Sequence, residues 1–141
     1  MGFFDKMFSK TPQYPDLAGD STAAKQIAAV KGDLEKLVHD VRDQMEVVPS
    51  SDGAYVFIGK PPKNFGIAWI EGGQIKSFKT LVEEHGMSNT DVAKLSDQLR
   101  EIYTRHHDTE HYRAMIANRD VVVTPSKPLE QDVRQVLTNL H

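Results

Sequence analysis

The sequence predicts an α+β protein: a small antiparallel sheet of three or four strands packed against a long amino-terminal helix, a central helix and a carboxyl-terminal helix. Three observations carry that reading. β-forming residues, turn residues and the lone tryptophan concentrate between Ala54 and Thr80. On both sides of that stretch apolar residues recur at three- and four-residue steps, the mark of amphipathic helices. The 141 residues are enough to enclose one hydrophobic core but hardly two. The expected organisation is an amphipathic tip and linker over residues 1–21 and a single α+β domain over residues 22–141.

Composition narrows the function classes. With 39% hydrophobic and 26% charged residues the chain has the make-up of an ordinary globular protein. Seventeen Lys and Arg against 20 Asp and Glu give a formal net charge of −3, so no overall field draws nucleic acid or an anionic membrane. Cysteine is absent, which removes disulfides, thiolate metal sites and cysteine nucleophiles. No window approaches the roughly 18 consecutive apolar residues of a membrane-spanning helix. The opening MGFFDKMFSK lacks the apolar core and small-residue cleavage site of a secretory signal, and Lys6 stands where N-myristoylation wants Ser or Thr. The expected location is the cytoplasm.

Taken in order, Phe3, Phe4, Met7 and Phe8 fall at i, i+1, i+4 and i+5, which gathers them on one side of a short helix in need of a surface to bury against. That surface is the protein's own core, a sister subunit, a partner groove or a membrane interface. Residues 11–21 (TPQYPDLAGDS) read as a linker. Ser21 or Thr22 then caps a long helix to about Met45, with Ile27, Val30, Leu34, Leu37, Val38, Val41 and Met45 as its apolar stripe. Five of these fit an a/d pattern, so the stripe suits either a sheet or a second copy of the helix.

Ala54 to Ile58 reads as a central strand, and the prolines of Lys60–Lys63 (KPPK) as a connection at the sheet's rim. Gly72 and Gly73 suit a two-residue hairpin turn, which sets Ile70 opposite Ile75, Trp69 opposite Lys76, Ala68 opposite Ser77 and Ile67 opposite Phe78. Phe65, Ile67, Trp69 and Phe78 share the face expected to carry the helices; Ala68, Ile70, Ile75 and Ser77 form a smaller, wetter face. Gly86 closes a helical turn. Ser88 with Asp91, or Asn89 or Thr90 alone, caps a helix bearing Val92, Leu95, Leu99, Ile102 and Tyr103, and a second helix is expected through Tyr112, Met115 and Ile116. Asp120–Thr124 (DVVVT) reads as a buried strand, and Pro128 opens a terminal helix with Leu129, Val133, Val136, Leu137 and Leu140 on one face.

Candidate chemistry centres on Arg105–Tyr112 (RHHDTEHY). On a helix His107 and His111 would lie one turn apart with Glu110 close by, half of a site for a divalent metal such as zinc. His107, Glu110 and His111 also spell H-x-x-E-H, so these five residues resemble the zinc signature of inverted-motif metallopeptidases. A catalytic zinc needs a third protein ligand, and the sequence identifies none. Lys60, Lys63, Lys76 and Lys79 near Tyr55 and Trp69 suit either a solubilising rim or a basic aromatic patch for an anionic ligand. Glycine-rich phosphate loops and the G-x-S-x-G elbow are absent. The resulting expectation is a non-catalytic, cytoplasmic protein-binding or assembly module, with homodimerisation a candidate. Its contacts come from Phe3, Phe4, Met7 and Phe8 and from the amphipathic first helix; metal binding through His107, Glu110 and His111 is the alternative.

Overall fold

The computed structural model describes residues 14–139. Helices α1 (Thr22–Ala29) and α2 (Lys31–Asp40) precede four consecutive strands, β1 (Met45–Ser50), β2 (Gly53–Lys60), β3 (Asn64–Glu71) and β4 (Gln74–Ser77). Helices α3 (Phe78–His85) and α4 (Asn89–Arg105), the hairpin β5 (Tyr112–Ile116) and β6 (Arg119–Val123), and α5 (Lys127–Thr138) complete the chain. The six strands form one sheet in the order β4-β3-β2-β1-β6-β5. Every neighbouring pair is antiparallel except β1 with β6, which run parallel.

This corrects the expected architecture: the α+β class stands, but the sheet has six strands and is mixed, where three or four antiparallel strands were expected. The long first helix is two helices. Val30 leaves helical geometry at φ −118° and ψ 23°, although its N–H still bonds Ile27 O and its carbonyl accepts from Leu34 N. The second helix stops at Asp40 because Val41 is extended. Met45, which continues the three-and-four spacing, instead opens β1.

Pro49 is accommodated in this central strand because β6 pairs only with Glu46 and Val47, so no ladder partner awaits its missing N–H. The second helix expected near Met115 is likewise a strand. Its hairpin turns on Ala117 and Asn118, both at positive φ (51° and 65°), with no glycine to announce it.

The Gly72–Gly73 hairpin has the expected register through Ile70–Ile75, Trp69–Lys76 and Ala68–Ser77. The fourth pair is not made, because Phe78 begins α3 and the Ser77 N–H goes to Thr80 Oγ1 at 3.1 Å. Gly86 ends α3 in the left-handed conformation. Ser88 and Ser126 cap α4 and α5 through the backbone N–H groups of Asp91 and Leu129. At Gly53 a Cβ would stand 2.0 Å from Ile70 O, so only glycine admits the close approach of β2 to β3.

Helices cover both faces, giving three layers. Ile27, Leu34, Leu37 and Val38 of α1 and α2 pack on Val47, Val56, Ala68, Ile70, Val121 and Val123. The face expected to be smaller and wetter is therefore a core, and the first-helix stripe is buried in its own sheet. On the opposite face Leu81, Leu95, Leu99, Ile102, Leu129 and Val133 of α3, α4 and α5 pack on Val48, Phe57, Ile67 and Trp69. No helix among the described residues is long and apolar enough to cross a membrane.

Candidate functional site

The helical turn that would set His107 and His111 on one face is not formed, because α4 ends at Arg105 and His106 serves as its cap. His107 Nδ1 lies 3.0 Å from Thr104 O on the exposed turn. Glu110 accepts the Tyr112 hydroxyl at 2.6 Å, and His111 turns inward to Thr124 Oγ1 at 2.8 Å. Among the described residues no group of three or more His, Asp or Glu side chains is arranged to hold a metal ion. Phe3, Phe4, Met7 and Phe8 lie outside the described residues.

The sheet instead assembles a polar chain that the sequence does not announce. Glu46, second residue of the central strand and only 8% exposed, points to the α4 and α5 side with Val48 and Ser50. It accepts the Tyr103 hydroxyl of α4 at 2.6 Å on one oxygen and the Thr124 hydroxyl at 2.5 Å on the other. With its proton committed to Glu46, Thr124 accepts from His111, so the imidazole donates through Nδ1. The same Nδ1 lies 3.6 Å from Glu46. Burial and the nearby Glu46 carboxylate push the Tyr103 hydroxyl far above its ordinary pKa; Tyr14 is raised by the same two causes, burial first.

His111 carries this chain to the outer edge of the sheet. The Tyr14 ring lies over the imidazole at 5.0 Å between centroids. From there residues 14–17 run parallel to β5: Arg113 N–H donates to Pro15 O and Leu17 N–H to Arg113 O, both at 2.8 Å. Arg113 adds an ion pair to Asp16 at 2.8 Å. This strap closes part of an edge strand.

Two arginines brace the rest. Arg134 of α5 binds Glu130 at 2.7 Å, Ser50 at 2.6 Å and Asp52 at 2.8 Å, fastening α5 to the β1–β2 turn. Those bonds, Arg134 first and Ser50 second, hold the Asp52 carboxyl below its usual range. Arg119 donates to the carbonyls of Val38 (2.9 Å), Val41, Arg42 (3.1 Å) and Asp43 (2.9 Å), which caps the carboxyl end of α2 and anchors the β5–β6 hairpin.

Two cavities lie apart from Glu46. One of about 290 Å³ sits between Tyr55, Trp69 and Arg134, and one of about 490 Å³ between Trp69, Leu81, Met87 and Leu137. Lys76 borders the second, but it is paired with Glu71 at 3.1 Å, and burial raises the Tyr55 hydroxyl to about 12. Of the expected lysine patch, Lys60 and Lys79 line a different surface groove, together with Phe65 and Phe78.

No protein-family model matches the sequence, and no match is found among curated proteins or solved structures.

Proposed function

We propose that the protein is a non-catalytic, cytoplasmic binding or assembly module that presents the apolar amino-terminal residues Phe3, Phe4, Met7 and Phe8 to a protein partner. The observation that supports this reading is the anchoring of Tyr14, Asp16 and Leu17, which follow the tip in sequence, along β5. Four large apolar side chains within eight residues suit the helix-in-groove mode of recognition. Several polar groups suited to chemistry are engaged with one another: Glu46 with Tyr103 and Thr124, His106 with Asp132, and Arg134 with Asp52 and Glu130. The apolar face of α1 and α2 is used against the sheet, so the proposal rests on the tip without the first helix.

Deleting residues 1–10 tests it. The expected result is a nearly unchanged melting temperature with loss of a partner or self contact. A large fall in melting temperature would place the tip in the domain core and contradict the reading.

A further inference from the structure

The hairpin register dictates which backbone groups of β5 face outward. Ile116 pairs with Arg119 across a two-residue turn, so Ile116, Ala114 and Tyr112 direct their N–H and C=O groups to β6, while Arg113 and Met115 direct theirs away from it. The strap takes both groups of Arg113. It then turns away at Ala18, whose carbonyl accepts the Ser21 N–H at 3.1 Å and the Ser21 hydroxyl at 2.7 Å. Met115 lies beyond the strap with its side chain 66% exposed; Val82 is the other large apolar side chain exposed among the described residues.

From this arrangement we infer that the outer edge of β5 is a self-association surface for a second copy of the chain, guarded by the detachable strap of residues 14–17. An edge strand with free backbone groups and an exposed apolar side chain is a template for pairing. The edge is also self-complementary. Antiparallel pairing about a two-fold axis at Ala114 sets Arg113 of one copy opposite Met115 of the other, so the outward groups meet as hydrogen-bonded pairs. The methionine then lies along the arginine's aliphatic stem. Alanine at the axis leaves room for close approach.

The strap blocks that register as long as it holds Arg113. Among the described residues its ties are few: two backbone hydrogen bonds, the Tyr14–His111 ring contact, the partly buried Leu17 and an ion pair whose Asp16 side chain is 79% exposed. Solvent-exposed ion pairs contribute little to stability, so opening the strap costs mainly the Leu17 and Tyr14 contacts. This surface is distinct from the amino-terminal tip, and the inference goes beyond the proposed function.

The absence of cysteine allows a direct test in the full chain. Asp16 and Arg113 are bridge partners, so their Cα atoms lie roughly 5 Å apart, within the range a disulfide spans. The variant carrying Asp16→Cys and Arg113→Cys locks the strap when oxidised and weakens it when reduced. Light scattering should find a monomer in the oxidised form and a twofold rise in mass with concentration in the reduced form; adding Met115→Lys should abolish that rise. Tyr14→Ala, which changes no edge residue, should also associate. Equal masses in the two redox forms, or association that survives Met115→Lys, would overturn the inference. Removing residues 1–10 from the same variant separates the questions, since the redox switch persists whether or not the tip binds a partner.

Discussion

The two edges of the sheet are protected in different ways. At one edge β4 is four residues long and passes directly into α3, so its outer backbone groups end within one turn of a helix. Its neighbour pair, Lys76 with Glu71, adds charge beside the short strand. At the other edge β5 owes its cover to a segment from the far end of the chain, held mainly at one residue, Arg113. An edge closed by its own shortness stays closed, whereas an edge closed by a strap can be opened. The second arrangement suits a protein that associates on demand.

That contrast can be broken at several points, beginning with the polar chain behind β5. Glu46→Ala leaves the Tyr103 and Thr124 hydroxyls buried without their acceptor and should cost about 3 kcal/mol in chemical denaturation. It should also loosen the His111–Tyr14 end of the strap. Arg119→Met removes the carbonyl bonds that tie the β5–β6 hairpin to α2 and should cost about 1.5 kcal/mol, with faster amide exchange in the hairpin than in β2 and β3.

A smaller effect is expected with pH. The Asp52 pKa is depressed in the folded state, so its stabilisation is present above the ordinary carboxylate pKa and is lost as pH falls through the depressed value. Asp52→Asn should flatten the acid side of a stability–pH profile; an unchanged profile would show that the Arg134 contact does not form in solution. The least effect belongs to the β4 edge. Lys76→Val should leave the mass by light scattering unchanged, since the strand stays too short to pair, and association there would erase the distinction between the edges.

How far these regions were legible in the sequence follows from where their signals lie. The β2–β4 meander is written locally: strand-forming residues run up to Gly72–Gly73, and the turn fixes the register. Gly86, Ser88 and Pro128 mark helix ends within a few residues of themselves. β1 is legible only in part, because Val41 and Met45 extend the helical spacing of α2 and Pro49 reads as a stop, while its place beside β6 depends on pairing across more than seventy residues. β5 was hidden because its turn is Ala117–Asn118, without glycine.

The polar chain is hard to read because Glu46 and Thr124 are 78 residues apart. A faint signal existed in the acidic residue that opens the apolar run Glu46–Val48 and in the threonine that ends DVVVT. Histidine spacing reads His107 and His111 on one helix face, whereas the helix ends at Arg105 and the chain turns into a strand at Tyr112.

The central claim, that the strap detaches while the fold persists, is tested most directly by native-state hydrogen exchange at two adjacent amides of β5. Arg113 N–H is held by Pro15 O of the strap, whereas Ala114 N–H is held by β6. Arg113 should exchange through a local opening insensitive to low denaturant, much faster than Ala114, whose exchange should track global unfolding. Equal protection of the two amides, both following global unfolding, would contradict the detachable strap.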